Sequence, residues 1–151
     1  DEFTDQHPLC RQSCKRIFSV QGHYSRVVID IFYDYFLAAY WKEHHPSELS
    51  EFASDFYSLL QSHLDNMPQK TQHLAPYMIS QNWLLAYSTQ PGIERILKGM
   101  HRRTSHASKM DKALLDLQAH EPALKADFDA FFPELIIFSR NKLSQLQTHS
   151  L

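Results

Sequence analysis

The chain has 151 residues, which suits a single domain built around one hydrophobic core. Hydrophobic residues make up 43% and charged residues 21%, a composition typical of a globular protein rather than a disordered one. The net charge of −2 and the lack of any apolar run near the ~20 residues of a bilayer span predict neither nucleic-acid binding nor a membrane protein. Only three glycines occur, which excludes a Gly-rich phosphate loop and argues against a β-sandwich.

The first half of the chain predicts three helices. Pro8 suits a first helical position, and a short helix is expected from about Leu9 to Phe18. The strongest helical segment runs from His23 to about Lys42 and ends before Pro46. Ser47 is expected to cap the third helix. Its apolar residues recur at helical spacing, at Phe52, Phe56, Leu59, Leu60 and Leu64.

The second half predicts further helices and no strand. A fourth helix is expected over roughly Leu74 to Tyr87, and a fifth begins at Thr89. The expected core positions of these two helices are Met78, Trp83, Leu84, Leu85, Ile93, Ile96, Leu97 and Met100. The polar stretch 104–108 predicts a loop, after which helices run to the end with Pro122 and Pro133 as starts or kinks. The fold class is therefore all-α, a single bundle of six or seven helices.

Two aspartates interrupt the otherwise apolar stretch 27–41. Asp30 and Asp34 are the only charged residues in that stretch, so the helix is expected to be buried all round and to enclose them. Their spacing of four residues places them one turn apart on one face, and His23 and Arg26 fall on the same stripe. The aromatic residues of this helix are expected in the core, at Phe32, Tyr33, Tyr35, Phe36, Tyr40 and Trp41.

Two carboxylates this close need a positive partner, and two interpretations remain open. In the first, Arg26 or another arginine forms an internal salt bridge with both acids. In the second, one aspartate binds a divalent metal and the other supports it.

A basic stretch lies downstream, at Arg95, Lys98, Arg102, Arg103, Lys109 and Lys112, opposed only by Asp111. One interpretation is a helix end that favours cations through its dipole, followed by a solvated loop. The other is a site for phosphate or for an acidic protein, because the planar guanidinium fork suits phosphate oxygens.

The remaining thiols and histidines give weaker signals. Cys10 and Cys14 lie four residues apart and are expected to be reduced thiols of a cytoplasmic protein. His7 lies two residues after Asp5, and we expect a functional role for it more than for the other histidines. The chain begins without Met, and Asp1 to Asp5 resembles the interior of a longer sequence, so we expect residues before Asp1 in the full protein.

Several motifs together resemble the acyl carrier protein phosphodiesterase family. The most specific is the aspartate-bearing helix, Val28 to Ala38 followed by Trp41. Supporting motifs are Asp1 to Asp5 with His7-Pro8, Trp83 to Tyr87, Gly99-Met100 with Arg102-Arg103, Ala126 to Phe128 and Phe131 to Pro133. The resemblance covers nearly the whole chain.

The resemblance implies an α-helical domain, residues 1–151, related to the HD-type metal-dependent phosphohydrolases. It implies hydrolysis of the phosphodiester that joins 4′-phosphopantetheine to a serine of holo-acyl carrier protein, with a divalent metal, typically manganese, although magnesium is possible. The expected metal site comprises Asp30, Asp34, Asp1 and Asp5, with Arg26 orienting an aspartate. The expected phosphate or substrate contacts are Arg102, Arg103, His23 and Lys98. Two alternatives are a phosphohydrolase acting on a nucleotide or small phosphoester, and a non-catalytic helical binding module.

Overall fold

The computed structural model describes residues 2–105 and 107–148, and these residues form helices and no strand. The α-helices are α1 (Glu2–Gln6), α2 (Pro8–Gln21), α3 (Ser25–Ala39), α4 (Leu49–Ser62), α5 (Gln69–Ser80), α6 (Trp83–Ala86), α7 (Gln90–Arg103) and α8 (Ala113–Thr148). Helices α1 and α6 have only five and four residues. The other six α-helices agree with the predicted bundle of six or seven helices. The all-α prediction is confirmed.

The helix starts follow from local capping. Pro8 occupies the start of α2, where the ring of His7 caps the helix by accepting a hydrogen bond from Leu9 N at 3.3 Å. The cap of α4 is Glu48 rather than the predicted Ser47, because Glu48 and Glu51 form a reciprocal capping box. His7 thus caps α2, while its Nε2 lies 3.1 Å from Glu134 Oε2 of α8.

The predicted fourth helix is two helices. Asn82 has φ 46°, a left-handed conformation that ends the run of α5 and lets α6 start in a new direction. Tyr57 OH donates to Asn82 Oδ1 at 3.2 Å and accepts from Leu84 N at 2.9 Å, so α4 holds this break in place. The break gives α6 its position beside α7.

The core lies between α2, α3, α7 and α8. Its largest fully enclosed side chains are Phe32, Phe36, Phe128, Phe131, Ile93 and Leu97. Neither Pro122 nor Pro133 starts a helix, because both lie inside the single helix α8. Tyr40, which was expected in the core, is exposed, and Lys125 Nζ lies 4.4 Å from the centre of its ring.

One buried carboxylate ties α2 to α8. Asp127 accepts hydrogen bonds from Ser13 Oγ at 2.9 Å, from Arg16 Nε at 3.0 Å and from Gln12 Nε2 at 3.0 Å. The hydroxyl of Ser13 also lies 2.9 Å from Tyr33 OH, which extends the network to α3. The network fixes the register of three core helices.

Several large apolar side chains are exposed on the surface. In the described part of the chain no helix is both long and apolar enough for a bilayer crossing. The apolar stripe predicted for α4 is partly exposed, at Phe52, Phe56 and Leu59, while α4 buries Ala53, Tyr57 and Leu60.

Candidate active site

Helix α3 is buried on most sides but leaves one strip open to solvent. Arg26, Val27, Asp30 and Asp34 all lie on this exposed strip. The prediction that the helix encloses both aspartates is therefore wrong. Helices α2, α7 and α8 pack against the other faces of α3, and α1 contacts the strip through the pair of Asp5 with Arg26.

The carboxylates of Asp30 and Asp34 are nevertheless perturbed. Both side chains reach solvent, but nearby protein atoms displace part of the water around each carboxylate. This desolvation, together with the charge of Asp30, raises the pKa of Asp34 to about 6. Desolvation, followed by the charge of Asp5, also raises the pKa of Asp30. The two acids disfavour each other's ionisation, as their spacing predicts.

The expected internal salt bridge does not form. Arg26 pairs with Asp5 of α1, with 3.4 Å between Nη1 and Oδ2, rather than with Asp30 or Asp34. Among the described residues, neither Asp30 nor Asp34 has an ion pair or a side-chain hydrogen bond. Asp1 lies outside the described residues. The interpretation in which Arg26 forms an internal salt bridge with Asp30 and Asp34 is therefore wrong.

A cavity of about 530 Å³ lies at the Asp30 end of the strip, between α1, α2 and α3. Asp5, Arg26 and Asp30 line it, and the predicted substrate residue His23 lies there too, exposed, with its ring centre 4.0 Å from that of Tyr24. The other lining residues include both thiols, Cys10 and Cys14, which are unpaired. Burial raises the pKa of the Cys10 thiol to about 12, so this thiol stays protonated.

A second cavity, of about 390 Å³, lies between α6 and α7. Trp83 and Tyr87 come from the α6 segment, and Arg95, Arg102 and Arg103 come from α7. The two helices approach very closely, since a Cβ placed on Gly92 would lie 1.8 Å from the carbonyl oxygen of Ala86.

Tyr87 connects this second cavity to the acid pair. Its pKa is raised to about 12 by desolvation, then by the charges of Asp34 and Asp30. The hydroxyl therefore stays protonated, as a hydrogen-bond donor, in the electrostatic range of both aspartates. Tyr87 lies where the acid strip of α3 meets the arginine-lined cavity.

The predicted phosphate residues separate into two groups. Arg102 and Arg103 are exposed, line the second cavity and have no ion pair among the described residues. Lys98 instead pairs with Glu94, with 2.7 Å between Nζ and Oε1, and it lines neither cavity. The structure thus brings two of the four predicted substrate residues to one cavity.

Three residues of this cavity were not singled out as site residues from the sequence. Trp83 and Tyr87 had been assigned to a helix and to a motif that supports the family resemblance, without a role in the site, and Arg95 had been noted as part of the basic stretch. Their convergence depends on the left-handed turn at Asn82. An asparagine before Trp83 is the one local signal that could have indicated it.

The chemistry of the acid pair fits a divalent metal. Two carboxylates one turn apart, perturbed and without a cation, supply the hard oxygen ligands that Mn²⁺ or Mg²⁺ takes, and Mg²⁺ commonly uses only one or two protein carboxylates. In the described part of the chain no third His, Cys, Asp or Glu completes a cluster with them. Within that part of the chain, Asp30 and Asp34 are the two carboxylates of the α3 strip that could hold such a metal.

Comparison with known proteins gives a consistent result. The sequence model of the family described as acyl carrier protein phosphodiesterase matches residues 1–135. A relative named acyl carrier protein phosphodiesterase from Photorhabdus laumondii is 34% identical over 146 residues, which cover 94% of this chain and 72% of the relative. Relatives of the same name from Serratia proteamaculans and Enterobacter sp. are 28% and 27% identical, each covering 94% of this chain and 74% of the relative.

No solved structure matches the chain. The family model spans the acid strip of α3, the α6–α7 cavity and the core of α8 up to Leu135. The chain belongs to the acyl carrier protein phosphodiesterase family.

Proposed function

We propose that this protein hydrolyses the phosphodiester between 4′-phosphopantetheine and the serine of holo-acyl carrier protein. The products are apo-acyl carrier protein and free 4′-phosphopantetheine. The observation that carries the proposal is the acid pair Asp30 and Asp34, which forms no ion pair among the described residues. Tyr87, whose pKa both acids raise, links this pair to a cavity lined by three arginines that also have no ion pair among those residues. Family membership supplies the substrate class.

Asp30 and Asp34 would hold the divalent metal, manganese or magnesium, and Asp5 is near enough to affect Asp30 electrostatically. When bound, such a metal polarises a phosphoryl oxygen and lowers the pKa of a bound water. Arg102 and Arg103 would bind the phosphate oxygens and stabilise negative charge that develops on them. Tyr87, as a protonated donor between the two groups, would orient the phosphoryl group.

The substrate protein also fits the charge of this face. Acyl carrier proteins are acidic, and the unpaired guanidiniums would steer an acidic partner toward the cavity. We also propose a cytoplasmic location, supported by the unpaired thiols of Cys10 and Cys14.

The test uses the full-length protein, holo-acyl carrier protein and Mn²⁺, with mass spectrometry to follow the loss of the phosphopantetheine mass. The wild type should yield the apo-form, and Asp34→Ala should abolish turnover because it removes one of the two carboxylates. The matched control is Asp55→Ala, an exposed aspartate on α4 that lines none of the cavities described. Normal turnover by a folded Asp34→Ala variant would remove the catalytic assignment.

A small phosphoester tested in parallel separates the closest alternative. Cleavage of the small ester with none of holo-acyl carrier protein would show that the enzyme class is right and the substrate wrong. An unchanged melting temperature on adding manganese or magnesium, with no turnover of either substrate, would favour a binding module.

A further inference from the structure

The arginine-lined cavity continues into a longer groove. A neighbouring cavity of about 480 Å³ is lined by residues of α5, including Lys70, His73 and Tyr77. The two cavities share Gln81, Trp83 and Arg103. A single groove therefore runs from Tyr87, at the acid pair, past Trp83 and out along α5.

Three arginines line the part of the groove between α6 and α7. Arg95, Arg102 and Arg103 line the first cavity and have no carboxylate partner among the described residues. Other basic residues do have one, for example Arg16 with Asp127 and Lys125 with Asp129. Three guanidiniums without an ion pair among the described residues favour a ligand that carries a phosphate group, because each guanidinium can contact two phosphate oxygens at once.

The outer part of the groove adds Lys70 and His73 to a lining that is otherwise mainly aromatic and apolar. Trp83 is half-buried, and its Nε1 donates to Gln81 Oε1 at 3.1 Å, which fixes the position of the indole. Tyr77 remains 61% exposed further out along the groove. Aromatic walls with a few polar groups are typical of sites for small organic molecules, and ~300–1,000 Å³ is their usual volume.

We propose that this groove binds the 4′-phosphopantetheine half of the substrate. Its phosphate lies among Arg95, Arg102 and Arg103, next to Tyr87 and the acid pair, and its pantetheine arm extends past Trp83 toward Tyr77. The inference rests on the proposed function for the identity of the ligand. It adds a defined subsite and assigns Arg95 and Trp83 to it.

Binding of free 4′-phosphopantetheine, measured by calorimetry on the full-length protein, tests this directly and needs no turnover. Arg95→Gln should weaken binding at least about tenfold, because it removes a charged hydrogen bond to the phosphate. Pantetheine, which lacks the phosphate, and inorganic phosphate, which lacks the arm, should each bind more weakly than 4′-phosphopantetheine. The control is Arg140→Gln, an exposed arginine of α8 outside the groove, which should bind like the wild type.

A pair of glycine variants tests the groove without changing any charge. Gly99 lines the first cavity, and a Cβ added there would meet only Arg102 Nη2, at 3.8 Å. Gly99→Ala should fold with equal or greater stability and still bind. Gly99→Leu should fold, as its melting temperature will show, and lose binding because its side chain fills the cavity.

Two results would overturn the inference. One is unchanged affinity for 4′-phosphopantetheine in both Arg95→Gln and a folded Gly99→Leu. The other is equal affinity for pantetheine with and without its phosphate. A wild type that cleaves holo-acyl carrier protein but fails these binding tests refutes this subsite alone, whereas one that binds as expected but cleaves nothing refutes the proposed function.

Discussion

Replacement of Asp34 by Asn should stabilise the metal-free protein, and only above a defined pH. The pKa of Asp34 rises from its ordinary 3.8 to about 6 in the folded protein. The folded state therefore holds the proton more tightly than the unfolded state does. Well below pH 4 both states are protonated and the aspartate costs nothing. Between about pH 4 and pH 6 the unfolded state loses its proton while the folded state keeps it, so the wild type loses stability that the asparagine variant keeps; above pH 6 the difference is constant.

The size of the effect follows from the shift. About two pKa units would correspond to about 3 kcal/mol if the carboxylate were fully enclosed. Asp34 is exposed, so solvent screening reduces this value, and we expect about 1 kcal/mol at pH 8. For a domain of this length, that is a rise of about 2–4 °C in melting temperature for Asp34→Asn.

The assay is thermal unfolding in EDTA between pH 4 and pH 8, with Asp55→Asn as the matched control. Asp34→Asn should equal the wild type at pH 4 and exceed it at pH 8, while Asp55→Asn follows the wild type throughout. Adding Mn²⁺ at pH 8 should reverse the order, because the wild type gains binding energy that the variant has lost. A stability gain that is the same at pH 4 and pH 8 would refute the reasoning.

Three further variants test other parts of the structure. Asp127→Ala should cost about 1–3 kcal/mol in urea unfolding, because three side chains, among them Ser13 and Arg16, lose their buried acceptor; an unchanged stability would contradict the network. Gly92→Ala should destabilise by more than about 2 kcal/mol, since the added Cβ meets a carbonyl oxygen at 1.8 Å, and a melting temperature equal to that of the wild type would contradict this contact. Tyr87→Phe should keep the melting temperature and lower kcat on holo-acyl carrier protein; unchanged kcat would remove the hydroxyl from the mechanism.

The sequence predicts a helix start correctly where a single local residue, such as a proline or a capping side chain, determines it. Pro8 and Thr89 mark real helix starts, and the side chain of Thr89 accepts from Gly92 N at 3.2 Å as a cap should. The pairing of Asp30 with Asp34 on one face also follows from helical geometry alone. Each of these features depends on residues within one or two turns of each other.

The sequence patterns do not predict which elements, distant along the chain, contact each other. An apolar stretch around two acids suggested enclosure, but the neighbours of α3 cover only part of its circumference, so the acid strip is open. The partner of Arg26 is Asp5, more than 20 residues earlier, and no periodicity indicates that pairing. The approach of Tyr87 to the acids depends in the same way on a turn at Asn82 and on the packing of α6 against α7.

The close approach of Ala86 to Gly92 has a consequence for recognition. Because backbone touches backbone there, the two walls of the α6–α7 cavity cannot slide apart at that point without losing the contact. This contact fixes α6 relative to α7, so that this part of the cavity is formed before a ligand binds. For a flexible, chain-like prosthetic group, a part of the binding site that is already formed reduces the ordering that association requires.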